Sequence, residues 1–399
     1  MNAAAHAAGD ANVLITGVTS FLGKATLARL VDKVNIDRIY LLLPTDDHES
    51  DSTPLDLLLR QMFPLWRANE LRRRVIGLTG DFTQSGCGLS PESLGICREH
   101  VDQILHCGAN TDLDASLEKS RRFNTEGTLH VLQLAEELYR HGRLRRLDYV
   151  STAYVCGRKP GVTTETDLER GQTFSNYFEQ SKFEAETLVR QYASRFPICI
   201  YRPSIVVGHS YNGYTPNFKV LYWPILLLAK DMLPFLVCNP QAFLDIVPVD
   251  YVADSIVALM SSEDALGETF LLTAGLGREI RIRDILHDAY EIAGLKRRPI
   301  IPFWLFEMLA RTPVARLLPM QFWALIEAAK PYFPYLRGST SRFDSKKSLA
   351  VLAEIGITPP NWQDYKQEIL NFCVATRWGK RLPLPEYSYY LPAKLMRAV

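Results

Sequence analysis

Val13-Leu14-Ile15-Thr16-Gly17-Val18-Thr19-Ser20-Phe21-Leu22-Gly23 decides how this chain folds. Three apolar residues make a short strand, a glycine follows at once, and Ala25, Leu27 and Leu30 then carry a helix pattern. A strand turning through glycine into a helix aims free backbone N–H groups and the positive end of the helix dipole at one spot, where a pyrophosphate binds. In this reading Gly17 makes the tight turn and Gly23 permits close helix packing. Thr19, Ser20, Phe21 and Leu22 form the rest of the loop, with Ser20 standing where the dinucleotide fingerprint has its middle glycine. The competing reading is an ordinary strand-to-helix turn.

Further apolar runs follow at residues 39–43, 75–78, 103–106, 147–150 and 198–201, separated by helical stretches such as 128–138 and 182–192. Strands that are apolar throughout and alternate with helices predict a parallel sheet covered on both faces, a doubly wound Rossmann-type α/β fold. Composition changes after Gly208. Residues 209–243 carry Tyr, Trp, Pro and Leu with little period, and residues 299–336 alternate apolar helix faces with Pro302, Pro313, Pro319, Pro331 and Pro334. Between them, Ile246-Val247-Pro248-Val249-Asp250 and Phe270-Leu271-Leu272 read as returns to the main domain. The expected organisation is a flexible tail over 1–11, a Rossmann domain over 12–275 with a substrate-lobe insertion at about 209–245, and a smaller, mostly helical substrate lobe over 276–399.

With 399 residues, 47% hydrophobic and 22% charged, the chain is long enough for a large core and a smaller lobe. A formal charge of +1 argues against nucleic acid as a partner, and Arg72-Arg73-Arg74 and Lys296-Arg297-Arg298 read as solvated helix ends. Seven cysteines form no C-x-x-C pair, which predicts reduced thiols in a cytoplasmic protein and no metal site. Residues 1–11 lack a basic start and an apolar run, so they do not read as a signal peptide. No apolar stretch is long enough to span a bilayer.

Three stretches follow strand C-terminal ends, where open α/β sheets bind ligands. Asp81 is placed to accept from an adenine amino group, or merely to cap a turn, and Phe82 to flank the ring. Gly108 and Ala109 offer a small backbone for close approach of a ribose, and Thr152 a hydroxyl for a carbonyl oxygen. The second strand ends at Pro44, with neither the acid that favours NAD nor the Arg that favours NADP. Asp46 or Asp47 is in reach of a ribose and Lys24 of a phosphate, so cofactor preference stays open. In Asn176-Tyr177-Phe178-Glu179-Gln180-Ser181-Lys182, a Tyr four residues before Lys182 would share its helix face and act as a proton donor, but that position is Phe178. Tyr177 lies about 100° further round an ideal helix, facing Lys182 only if the helix begins irregularly.

In order along the chain, Phe21-Leu22-Gly23-Lys24, Ile39-Tyr40-Leu41-Leu42, Gly80-Asp81, Gly88-Leu89-Ser90, His106-Cys107-Gly108-Ala109, Asn124-Thr125-Glu126-Gly127-Thr128, Ser151-Thr152-Ala153-Tyr154, Tyr201-Arg202-Pro203-Ser204-Ile205-Val206 and Val247-Pro248-Val249-Asp250-Tyr251-Val252 resemble the extended short-chain dehydrogenase/reductases. Within them the chain resembles the thioester reductase and fatty acyl-CoA reductase (male-sterility) branch, over roughly residues 12–275. That resemblance implies NADPH, with NAD open, delivering hydride to an acyl-CoA or acyl-carrier-protein thioester to give an aldehyde or an alcohol. It implies that Asn124, Pro203, Ser204 and Ile205 join the cofactor-binding set, that Thr152 meets the developing oxyanion, and that Lys182 holds the nicotinamide ribose and tunes a Tyr acid. Ser20, Pro44 and Phe178 depart from the pattern.

The leading expectation is therefore a reductase using Thr152, Tyr177 and Lys182, its acyl chain held around Trp223, Leu226, Trp304 and Trp323. The alternatives are a non-redox enzyme that offloads or cyclises a thioester by Dieckmann condensation, as some reductase-like terminal domains lacking this Tyr do, and a nucleotide-binding protein without turnover. Residues 299–336 are expected to close over substrate, rest on a membrane surface as a peripheral contact, or simply form a helical core.

Overall fold

A computed structural model describes residues 11–33, 35–44, 53–158, 161–312, 320–338 and 341–381. The tail expected over 1–11 thus lies outside the described residues except for Ala11, which opens the first strand. Seven strands make one parallel sheet: β1 (Ala11–Thr16), β2 (Ile36–Leu43), β3 (Val75–Thr79), β4 (Gln103–His106), β5 (Arg146–Val150), β6 (Ile198–Pro203) and β7 (Thr269–Leu272), in the order β7-β6-β5-β4-β1-β2-β3. The chain builds outward from β1 to β3, then returns to lay β4 on the other side of β1. That reversal leaves a crevice between the C-terminal ends of β1 and β4, where doubly wound sheets bind nucleotides.

The strands are apolar throughout because both faces are covered. The helices that cover them are α1 (Phe21–Leu30), α2 (Gly127–Arg140), α3 (Tyr177–Tyr192) and α4 (Val249–Met260). Along β1, Val13 and Ile15 pack with Leu27 and Ala28 of α1 and Ile256 and Val257 of α4. Leu14 points the other way, to Val131 and Leu132 of α2 and Ala185 and Val189 of α3. Each of these valine, leucine and isoleucine side chains is fully buried and contributes about 1.5–3 kcal/mol.

After β6, Ile205–Val207 and Ile246–Pro248 pair in parallel, so the intervening residues leave the sheet and return beside their point of departure. Beyond β7 come α5 (Ile282–Ile292), α6 (Phe303–Ala310), α7 (Lys346–Glu354) and α8 (Trp362–Ala375). Phe303 and Phe306 of α6 form a small cluster with Val237 and Ile326. Later residues come back to the sheet. Ser341–Phe343 pairs with Gly161–Thr163, and Ser348 Oγ on α7 accepts from the Leu271 amide of β7 at 2.8 Å and donates to Glu165 at 2.7 Å. Pro313 and Pro319 lie outside the described residues.

Candidate active site

The crevice is built by glycine where side chains do not fit. Thr16 pairs with His106 at the ends of β1 and β4, so the two following turns touch. Gly17 has φ +73°, and a Cβ there would lie 2.3 Å from both Cα and N of Gly108. A Cβ on Gly23 would lie 2.4 Å from the Gly17 carbonyl oxygen. Ser20, in place of the fingerprint's middle glycine, is the N-cap of α1, its Oγ accepting from the Gly23 amide at 3.0 Å. The glycine cradle and the N-terminus of α1 fit a dinucleotide pyrophosphate, and Asn110 Nδ2, buried without a partner past the end of β4, adds a donor at that edge.

Beside this crevice lies a cavity of ≈370 Å³ whose wall includes Ser20, Phe21 and Leu22 at one end, then Ala109, Thr152, Phe178 and Lys182, and Pro203, Ser204 and Ile205. Lys182 is fully buried, its Nζ 2.7 Å from Tyr149 Oη and 2.8 Å from the Val150 carbonyl. Burial lowers its pKa to about 7, against the opposing pull of Glu186 and Cys107. Thr152 Oγ1 donates to the Pro203 carbonyl over a long 3.3 Å and accepts from the Tyr154 amide at 3.3 Å.

The helix carrying Lys182 starts cleanly. Asn176 is its N-cap, Oδ1 accepting from the Glu179 amide at 2.9 Å, so regular helix begins at Tyr177, without the irregular start that would turn Tyr177 towards Lys182. Tyr177 is 48% exposed and Phe178 takes the place on the cavity wall. The structure therefore brings Thr152 and Lys182 together and leaves Tyr177 outside.

Behind Lys182, Glu186 Oε1 and Arg202 Nη2 lie 2.6 Å apart, both wholly buried, and Ser151 Oγ donates to Glu186 at 2.6 Å. Burial pushes the Glu186 carboxyl up, but Arg202 and Arg190 with Ser151 outweigh it and hold the group below its ordinary range. Asn124 sits in a wide i→i+5 turn over Arg121–Glu126 ahead of α2. Its Oδ1 accepts from the Asn110 amide at 2.7 Å and its Nδ2 donates to Ser181 at 2.9 Å, tying β4 to α3.

The other expected residues have the following surroundings. Both Asp81 oxygens are engaged by Thr83, at 2.8 Å from its amide and 2.9 Å from its hydroxyl, which is the turn-capping geometry. Phe82 packs inward, its ring edge-on to His106 and 2.8 Å from where a Gly108 Cβ would stand, so Gly108 is small for Phe82 and Gly17. Lys24 lies in a shallow cleft with Thr19, Pro44 and Gln61, 3.3 Å from Gln61 Oε1. Asp46 and Asp47 fall outside the described residues. The aromatic residues expected to hold an acyl chain do not reach the cavity: Trp304 is 68% exposed, Trp223 stacks on Tyr332, and Trp323 packs in the α6 cluster. Leu113, Val220, Leu221 and Tyr222 line it instead. Val220, Leu221 and Tyr222 lie in the substrate-lobe insertion expected at about 209–245, whereas Leu113 carried no signal in the sequence. Tyr149 and Arg202 were missed as well, although a hydroxyl and a charge inside apolar strands are a signal that could have found them.

Among the described residues, no helix is long and apolar enough to cross a membrane, and no three His, Cys, Asp or Glu gather as a metal site.

The switch-point crevice, the glycine turn and the capped helix define an NAD-binding Rossmann domain. Residues 15–256, more than half of the chain, match the male sterility protein family of NAD-binding domains, and the chain belongs to that family. It is 26% identical over 329 residues to the aldehyde reductase lnbA of Aspergillus flavus, covering 78% of this chain and 31% of that protein. To fatty acyl-CoA reductase 1 of Arabidopsis thaliana it is 24% identical over 313 residues, 63% of each chain. The chain thus spans less than two thirds of the length of these relatives. Its fold is that of the terminal R domain from the myxalamid PKS-NRPS biosynthetic pathway, with TM-score 0.74, 24% identity, and 95% of this chain and 93% of the other covered.

Proposed function

We propose that this protein is an NAD(P)H-dependent reductase of a thioester-bound acyl group, carried by coenzyme A or an acyl carrier protein, giving an aldehyde or, after a second round, an alcohol. One observation carries the reading: Thr152 and Lys182 meet on the wall of a mostly apolar cavity that continues the dinucleotide crevice. The turn Gly17 to Gly23 would hold the pyrophosphate, and Pro203 and Ser204 would border the nicotinamide end. Bound there, reduced nicotinamide supplies hydride to the thioester carbon. Thr152 Oγ1, released from its long bond to Pro203, donates to the carbonyl oxygen as negative charge develops, the kind of preorganised contact that commonly supplies much of a barrier reduction. Leu113, Val220 and Leu221 exclude water and hold the acyl chain near the carbonyl. Lys24, beside Thr19 and Pro44, favours NADPH by offering a cation for a 2′-phosphate.

Phe178 on the cavity wall favours a second reading, a non-redox offloading or cyclising enzyme on the same scaffold. One assay separates them. The protein is incubated with a long-chain acyl-CoA or a loaded carrier protein, and NADPH and NADH absorbance is followed alongside product analysis. Cofactor oxidation with aldehyde formation supports the reductase; thioester loss without oxidation supports the second reading and sinks the first.

A further inference from the structure

A reductase needs a proton for the carbonyl oxygen, and the phenol expected to supply it is missing from this cavity. Phe178 has none to give, and Tyr177 is on the outside. Of the other phenols on the wall, Tyr335 Oη donates to Glu179 at 2.9 Å while accepting from Asn176 at 3.0 Å, and Tyr222 Oη accepts from the Gly208 amide at 2.7 Å while burial raises its phenol well above the ordinary value, so that it holds its proton tightly. Tyr154 is gripped edge-on by Tyr335 and Phe343, and burial raises its phenol well above the ordinary value, which makes it a poor donor. Lys182 remains. Its ammonium has three N–H bonds, and Tyr149 and Val150 take two of them, leaving the third for the cavity that Lys182 lines.

We propose that Lys182 is itself the proton donor, a role that rests on the reductase reading above. The thioester carbon gains hydride from reduced nicotinamide, which is oxidised, and the carbonyl π pair moves onto oxygen. One Lys182 N–H bond breaks as the new O–H bond of a hemithioacetal forms, and Lys182 becomes a neutral amine held by Tyr149 and Val150. On collapse the amine takes that proton back while the C–S bond breaks and its electron pair leaves on sulfur. Solvent then protonates the thiolate, so each turnover consumes one proton and Lys182 ends as it began.

Its surroundings suit the task. An ordinary lysine holds its proton far too tightly, whereas one brought to about 7 by burial is matched to neutral pH. The other groups around it keep their charge there. His106 on β4 is neutral, lowered to about 3 by burial and by Lys182 itself. The Cys107 thiol is raised to about 12 by burial. Tyr149 on β5 is pushed up by burial and by Glu186. Glu186, one turn further along α3, stays ionised against Arg202.

The test is the pH dependence of kcat/KM for NADPH oxidation with a long-chain acyl-CoA or a loaded carrier protein, from pH 5.5 to 9.5. The expected result is a fall of about tenfold per unit above pH about 7. Lys182→Arg, whose guanidinium cannot release a proton, is expected to lose roughly 10²–10⁴-fold in kcat while NADPH affinity, read by fluorescence, changes far less. Adding Phe178→Tyr to Lys182→Arg is expected to restore part of the rate and move the alkaline limb upward. A readout free of turnover is the melting temperature of the cofactor-free protein. Since the folded pKa lies below the unfolded one, wild type gains on Lys182→Met as pH rises from 7 to 10. A flat wild-type profile between pH 6 and 9, a Lys182→Arg rate within threefold of wild type, or a pH-independent melting difference overturns the role of Lys182 alone. Wild type that oxidises no cofactor with any thioester overturns the reductase reading itself.

Discussion

Replacing Gly17 with alanine adds one methyl group and tests the whole construction of the crevice. At φ +73° a non-glycine residue costs roughly 1–2 kcal/mol, because Cβ crowds the following carbonyl. The new Cβ also stands 2.3 Å from Gly108 Cα and N and 2.7 Å from the Cys107 carbonyl carbon. These are backbone atoms, not flexible side-chain ends, so the turns after β1 and β4 must move apart by about 1 Å, an overpacking that costs roughly 1–3 kcal/mol more. The total is about 2–5 kcal/mol of stability, a fall of several degrees in Tm. The same displacement carries away the N–H groups at the start of α1, and losing about 3 kcal/mol of cofactor binding weakens Kd by roughly 100-fold. NADPH fluorescence titration and thermal unfolding read both effects. Gly95→Ala is the control: it lies in the helix Pro91–His100, its Cβ would meet nothing within 4 Å, and alanine there should stabilise by up to about 1 kcal/mol. A Gly17→Ala protein that melts with wild type and binds NADPH within threefold of its Kd would refute the reasoning.

Tyr177→Phe should leave turnover and stability nearly unchanged, within about 0.5 kcal/mol, because the side chain is half in solvent and off the cavity; an orders-of-magnitude loss in kcat would return the acid role to Tyr177. Phe178→Tyr should hold or raise kcat by placing a phenol one turn from Lys182, and a large loss would mean that its apolar ring is needed for substrate. Glu186→Gln should cost about 3–5 kcal/mol, seen as a lower urea midpoint at unchanged m-value, because it strands the wholly buried Arg202; a shift under 1 kcal/mol would show that the pair is not the anchor it looks. Stability should drop as pH falls from about 6.5 towards 3, by up to about 1.4 kcal/mol per unit from His106, because the unfolded imidazole binds a proton that the folded one refuses; a His106→Gln protein with the same slope as wild type would assign that loss to other groups.

Local patterning settles a great deal here. Apolar strands of four to eight residues alternating with helices can only be buried on both sides, so the parallel doubly wound sheet follows from periodicity, and the strand-glycine-helix junction at Gly17 follows from turn chemistry. Thr152 and Lys182 were legible too, as a strand-end hydroxyl and a helix residue at a readable spacing. Tertiary structure decided what those residues face. Whether Tyr177 turns towards Lys182 depends on where α3 begins, which the Asn176 side chain fixes through a single hydrogen bond. The partners of Lys182 come from β5, 33 and 32 residues away, and the cavity wall is completed by Leu113 from one segment and Val220-Leu221 from another. The low proton affinity of Lys182 is likewise a product of burial, and burial is a property of everything packed around a group, which no spacing along one chain can record.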